Sequence, residues 1–123
     1  MKEEFKDFTE WLNDLKEASK EAVIIVEGKN DEKALKRFSI KNILTLSGKR
    51  FADIPDILEG KWNKVILLLD LDPKGEKFHK KLKELLQEQG FEVYENFRNF
   101  LKKMNIIYIE EIHEGKIAKT SDS

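Results

Sequence analysis

The chain contains no cysteine, which excludes disulfides, thiolate zinc sites and thiol catalysis. Its two histidines, His79 and His113, are too few for most zinc centres. Only two prolines, Pro55 and Pro73, and six glycines interrupt the 123 residues, so each break marks a boundary. No apolar run approaches the roughly 20 residues that span a bilayer. The amino terminus, Met1-Lys2-Glu3-Glu4-Phe5-Lys6, is too acidic and polar for a signal peptide, so a cytoplasmic protein is expected. Charge of one sign is missing too: 38% of residues are charged, yet the net charge is only -1. No global basic field recruits a polyanion, and a local patch or a metal would have to hold one. What remains is 40% hydrophobic residues, enough for one core. The length suits one domain and is too short for two ordinary ones. Abundant Lys and Glu without Cys is a compositional tendency of thermophile proteins.

Hydrophobic spacing divides the chain into alternating elements. Phe5, Phe8, Leu12 and Leu15, with Trp11 beside them, predict an amphipathic helix over 4–18. Strands are expected at 23–26, 43–46, 65–69 and 91–94, with a possible last strand at 106–109. Helices are expected from about Asp31, over 53–59 with Pro55 in the first turn, from Gly75 to Gln89, and after an Asn96 cap. The stripe of this last helix is Phe97, Phe100, Leu101 and Met104. Alternating strands and helices predict an α/β fold, a mostly parallel sheet of about four strands with helices on both faces. Residues 1–114 are expected to form this single domain, with its core over about 20–110 and a flexible tail over 115–123.

Two acidic motifs stand where apolar strands should end. Val23-Ile24-Ile25-Val26 runs into Glu27-Gly28-Lys29-Asn30-Asp31, and Val65-Ile66-Leu67-Leu68-Leu69 runs into Asp70-Leu71-Asp72-Pro73-Lys74-Gly75-Glu76. Parallel strands bring such ends to one edge of a sheet, so Glu27, Asp70 and Asp72 are expected to converge. Carboxylates crowded together repel, and a hard divalent cation, Mg²⁺ or Mn²⁺, relieves them. Asp70 and Asp72 project the same way from an extended chain. Gly28 permits a sharp or left-handed turn and close approach of a ligand, and Asp31 suits an N-cap or first-turn acid. Gly75 lets the chain turn into the helix, and Glu76 suits the helix dipole there. Lys29, Lys49, Arg50 and Lys74 fall on loops at the same edge and could clamp phosphate oxygens. Each motif alone also reads as ordinary strand-to-helix punctuation.

Taken in order, and about forty residues apart, the two motifs resemble the TOPRIM domain. That domain is shared by topoisomerases, bacterial-type primases, overcoming-lysogeny-defect nucleases and the ribonucleases that mature ribosomal 5S RNA. The local likeness is to those maturases and to small stand-alone TOPRIM proteins, and it spans roughly residues 20–110. The resemblance implies a general acid or base, or a metal ligand, at Glu27 and Mg²⁺ ligands at Asp70 and Asp72. Gly28 and Asp31 complete the first motif, and Glu76 supports the second. It implies a metal-dependent enzyme acting on nucleic-acid phosphodiesters, RNA or DNA, most simply a nuclease. A non-catalytic metal- and nucleic-acid-binding module, or a nucleotide-binding phosphotransferase, are the alternatives. The maturases carry a further carboxyl-terminal portion for their RNA, for which this chain has little room, so a protein partner or dimerisation could supply the substrate grip.

Other groups read as structural. Tyr94 and Tyr108 fall on expected strands and suit packing rather than nucleophilic attack. His79 is expected to be exposed on a Lys-rich helix, with Lys77, Lys80, Lys81 and Lys83 as its solvated face. His113 among Glu110, Glu111 and Glu114 reads as a charged terminus, and Trp11 and Phe97 to Phe100 as core.

Overall fold

The two strongest apolar runs become the two central strands of the sheet. In the computed structural model, which describes residues 2–113, β1 (Ala22–Val26) pairs in parallel with β3 (Lys64–Leu67). Ile24 lies opposite Ile66, and Ile25 opposite Leu67. Both strands are covered on two faces, which is why they lack polar alternation. β2 (Ile43–Thr45) flanks β1 and β4 (Glu92–Tyr94) flanks β3, giving the all-parallel order β2-β1-β3-β4.

The α-helices among the described residues are α1 (Phe8–Ala18), α2 (Lys29–Lys36), α3 (Ile54–Leu58), α4 (Pro73–Glu88) and α5 (Asn96–Lys103). Ile24, Val26, Ile66 and Leu68 turn toward one face and pack with Phe8, Trp11, Leu15, Leu35, Phe97 and Leu101 of α1, α2 and α5. Val23, Ile25, Val65 and Leu67 turn toward the other, against Ile54, Leu58, Leu82 and Leu86 of α3 and α4. Strand order explains the division. The chain runs outward from β1 to β2, then reverses across β1 to β3 and β4. Parallel crossovers are right-handed, so reversing direction moves the connecting helices to the opposite face.

α1 is joined to the domain by aromatic packing. Trp11 stacks on Phe100 at 6.4 Å and meets Phe97 edge-on at 6.3 Å. Its indole Nε1–H donates to the Phe97 carbonyl at 2.9 Å in the buried core. The α/β fold expected from the sequence is the one found, and Trp11, Phe97 and Phe100 are core residues.

Local differences have physical reasons. The first helix begins at Phe8 rather than Glu4, because Asp7 caps it by accepting from the Glu10 N–H. Phe5 packs before the helix, stacking on Phe97 at 5.2 Å. Asn96 is the first residue of α5 and Glu95 its cap position. Met104 is exposed, because α5 ends at Lys103 and Met104 leaves the buried stripe. His79 is buried, only 8% exposed, because its face of α4 turns toward Glu95 rather than solvent. Lys83 pairs with the same Glu95, whereas Lys77, Lys80 and Lys81 form the solvated face. No strand forms at 106–109: Ile106 and Ile109 insert into the core while Ile107 and Tyr108 stay exposed. Tyr108 is therefore not a packing residue. The tail expected over 115–123, and Glu114, lie outside the described residues.

Substituting Trp11→Phe keeps most of the ring packing but removes the buried indole bond to the Phe97 carbonyl and the volume of the second ring. The expected loss is about 1–3 kcal/mol of unfolding free energy, read by urea denaturation.

Candidate active site

Strand order reverses between β1 and β3, and open α/β sheets take their ligands in the crevice outside the carboxyl ends of the strands at such a switch point. Glu27 directly follows β1. Beyond β3 the chain stays extended long enough for the Leu68 N–H to bond the Ile25 carbonyl, and this carries Asp70 to the same point. Glu27 Oε2 accepts from the Asp70 backbone N–H at 2.9 Å, linking the two motifs across 43 residues. Asp70 Oδ1 accepts from the Ile109 N–H at 2.9 Å, and Asp72 Oδ1 caps α4 by accepting from the Gly75 N–H at 2.7 Å.

Gly75 is dictated by space. A Cβ there would lie 2.0 Å from the Asp70 carbonyl oxygen and 2.9 Å from Asp72 Oδ1. The first turn of α4 thus rests directly on the backbone of the second motif. Gly28 has a different role from the one its residue type suggests. Its backbone is extended, with φ -144°, so no left-handed turn occurs. Its N–H donates to Asp31 Oδ2 at 3.0 Å, and Asp31 is a first-turn acid of α2.

The expected three-carboxylate convergence is only partly realised. Glu27 and Asp70 meet, and Asp72 lies near enough to act on Glu27 electrostatically. Among the described residues, however, no three His, Asp or Glu side chains are arranged to hold a metal ion. Like charges separate unless a cation draws them in, and each of these carboxylates has turned one oxygen to a backbone N–H. Burial pushes the Glu27 carboxyl up, as does repulsion from Asp70 and Asp72, against the opposing Asp70 N–H. Burial likewise pushes Asp31 up to about 6, helped by Asp70 and Glu110 and opposed by the Gly28 and Glu110 N–H groups. Crowded oxygen donors with raised pKa values are a fitting environment for a hard cation. Mg²⁺ takes one or two carboxylates and keeps its waters, so it needs no closed protein cage.

Sequence reasoning missed Arg98. This α5 residue is 3% exposed. Its Nε donates to the Leu69 carbonyl at 2.9 Å, and its Nη2 to the Asp70 carbonyl at 2.7 Å and to Glu76 Oε1 at 2.8 Å. One guanidinium therefore holds two successive carbonyls, those of Leu69 and Asp70, and the acid that follows the motif. Its position three residues before Leu101, inside the apolar stripe of α5, was the available signal. Glu76 supports this arrangement through Arg98, with Lys102 at 3.9 Å. Nearby, His79 Nε2 bonds Glu95. Burial lowers the His79 pKa, as does the Arg98 charge, against the opposing Glu95. Burial alone would raise Glu95, but hydrogen bonds from His79 and Lys83 outweigh it and hold the carboxyl low.

The four expected clamps lie at this end of the sheet. Lys29 opens α2, Lys49 and Arg50 follow β2, and Lys74 is in the first turn of α4. Arg50 is already engaged by Asp53, its Nε at 3.0 Å and Nη2 at 3.3 Å. Lys74 Nζ lies 5.4 Å from the centre of the Phe78 ring. Lys29 is exposed and Lys49 half-buried.

The sequence pattern of the Toprim domain matches residues 22–109, from the start of β1 to the N–H that holds Asp70. The chain belongs to the Toprim family. A UPF0292 protein of Thermococcus gammatolerans is 34% identical, with 98% of this chain and 92% of that protein covered. Ribonuclease M5 of Mesoplasma florum is 29% identical over 82% of this chain and 61% of its own length. A solved protein from Aquifex aeolicus superposes with a TM-score of 0.86 at 67% identity, covering 88% of this chain and all (100%) of that one. The Aquifex aeolicus primase, solved as its zinc-binding and RNA polymerase domains, gives a TM-score of 0.52 at 27% identity, over 81% of this chain and 25% of that one. The chain also spans 60% of the UPF0292 protein of Pyrococcus furiosus, at 39% identity. Among the described residues of this Toprim chain, no helix is long and apolar enough to cross a membrane.

Two predictions follow from the geometry. Arg98→Met removes the donors to both carbonyls and leaves Glu76 without its buried partner. It should cost about 3 kcal/mol in urea unfolding and weaken divalent-cation binding at the Asp70 motif. The second concerns pH. The Asp31 carboxyl titrates at about 6 when folded against 3.8 for an unperturbed Asp, so the folded chain holds this proton more tightly. That contribution is fully present below pH 3.8 and is lost as pH rises through about 6. Its full size is at most about 3 kcal/mol. In a chelator, Asp31→Asn should therefore be more stable than wild type at pH 7, and its stability should vary less between pH 4 and 6.

Proposed function

We propose that this Toprim chain is a Mg²⁺-dependent enzyme that cleaves phosphodiester bonds of nucleic acid. The observation that carries the reading is the bond from the Asp70 N–H to Glu27 across the strand-order switch, which unites the two acidic motifs at one ligand crevice. The names of two relatives, a ribonuclease and a primase, support nucleic acid as the substrate class.

Asp70 and Asp72 would hold the cation through the oxygens not committed to backbone, with Glu27 as a further ligand or as the general base. Bound Mg²⁺ supplies charge to neutralise the phosphodiester and the charge that builds on it during displacement. Burial raises the Glu27 pKa toward the range in which a carboxyl takes and returns a proton. In hydrolysis, water adds to phosphorus, the ester P–O bond breaks, Glu27 takes the water proton, and the departing oxygen is protonated from solvent. Lys29, Lys49 and Lys74 would contact neighbouring phosphates. Arg50 would contribute only after release from Asp53. Arg98 holds the Asp70 backbone in place without touching substrate.

A second reading, a non-catalytic module that binds metal and nucleic acid or a processing partner, is favoured by one observation. Asp72 already gives Oδ1 to the Gly75 N–H as the cap of α4.

Titrating Mg²⁺ and Mn²⁺ into the protein and into an Asp70→Asn/Asp72→Asn variant, with labelled RNA and DNA present, separates the readings. Metal-dependent cleavage by the wild type, lost in a variant that remains folded by circular dichroism, is the expected result. Metal binding without cleavage of either polymer would favour the binding module. Cleavage retained in the variant would remove the acidic motifs from the chemistry.

A further inference from the structure

Met104, Ile107 and Tyr108 are the large hydrophobic residues exposed among the described residues, at 37%, 45% and 43%, and all three fall within one stretch of five. That stretch borders the acidic crevice. The Ile107 carbonyl accepts from the Leu71 N–H at 2.7 Å, and the Ile109 N–H donates to Asp70 Oδ1 at 2.9 Å. Tyr108 thus sits between two residues bonded directly to the second motif. Its own N–H donates to Glu111 Oε1 at 2.9 Å, while Ile106 and Ile109 on either side are buried, 1% and 0% exposed. Three backbone hydrogen bonds and two buried flanking side chains hold the segment, which leaves an isoleucine and a phenol ring exposed. Rigid aromatic surface binds at little entropic cost.

Chemistry and size identify the occupant. Three side chains are far short of the ~800 Å² per partner that a stable protein interface buries. They match the face of one or two nucleobases. Glu110 beside Tyr108 is exposed, so of the parts of a nucleotide it is the neutral base face and not the phosphate that suits this spot. Lys102, also exposed, lies 3.9 Å from Glu76 of the second motif. A base in a continuous duplex has both faces stacked on its neighbours, so only an unpaired or extruded base can use this surface.

We propose that Tyr108 and Ile107 form a stacking surface for an unpaired nucleobase next to the acidic crevice, making single-stranded or locally unpaired nucleic acid the substrate class. This inference rests on the nucleic-acid reading of the same crevice, and its test keeps the two apart.

Binding is measured by fluorescence anisotropy in Ca²⁺, which limits turnover, with a labelled 12-nucleotide single strand, the matching duplex, and the same strand carrying abasic sites. Wild type, Tyr108→Ala and Tyr108→Phe are compared, and oligomeric state is followed by sedimentation. The expected result is a preference for the single strand, a loss of roughly 10-fold or more in Tyr108→Ala, and near wild-type binding in Tyr108→Phe. The abasic strand should bind weakly to all three. If wild type binds nucleic acid but Tyr108→Ala binds equally well, or weakens the duplex and abasic strands as much, the stacking surface is overturned while the wider reading stands. If wild type binds neither polymer, both fall. If Tyr108→Ala dissociates an oligomer without changing strand affinity, the patch is a protein contact and the proposal is overturned.

Discussion

The parallel pairing of β1 with β3 is the constraint on which the rest of the molecule depends. These two strands are the most deeply buried in the sheet, and they are separated in sequence by a whole excursion through α2, β2 and α3. Bringing them side by side forces the strand order to reverse. The reversal puts α2 and α3 on opposite faces and leaves a crevice at the strand ends. Both acidic motifs come to that crevice because each is covalently the next segment after one of the paired strands. The site is a consequence of the pairing, not an addition to it.

Concentrating carboxylates at one point creates a repulsion that the fold manages with backbone dipoles and one buried cation. Glu27, Asp31, Asp70 and Asp72 each accept from a main-chain N–H, and the partners come from both motifs and from the Ile109 segment. Arg98 acts from beneath, binding carbonyls rather than the carboxylates themselves. It fixes where Asp70 stands without neutralising it. The remaining excess of negative charge shows in the raised pKa values of Glu27 and Asp31. Acids kept crowded, pinned and partly desolvated in this way are the charge that the cation of the proposed function would offset.

Much of the architecture was legible before any tertiary contact was known. The apolar runs at 23–26 and 65–69, each ended by a turn signal, suit strands covered on both faces, and their alternation with amphipathic segments suits a parallel sheet. The positions of Glu27 and Asp70 were legible for the same reason, since residues that end buried strands must lie at the sheet edge; the need for glycine at 75 was not, because it comes from the Asp70 carbonyl packed against the first turn of α4. Arg98 and His79 were not. Each belongs by type to solvent, and each is buried because a long-range partner, the Leu69–Asp70 backbone or Glu95, meets it inside. Ile106 to Ile109 misled for a related reason. Its β-branched residues suit a strand, but the chain is held by single bonds to Leu71 and Asp70 instead of a ladder.

The sequence by itself determined the elements, their layering and the family, because hydrophobic periodicity and the order of two motifs are local properties that survive any folding path. Tertiary structure alone decided how the charges are disposed. Whether Asp72 faces a cation or caps a helix, whether Arg50 is free or paired to Asp53, and whether Tyr108 packs or projects all depend on which distant backbone groups arrive nearby. Hydrogen-bond energies fall off within a few ångströms and screened charge interactions over about 10 Å, and those distances are set by the packed chain as a whole.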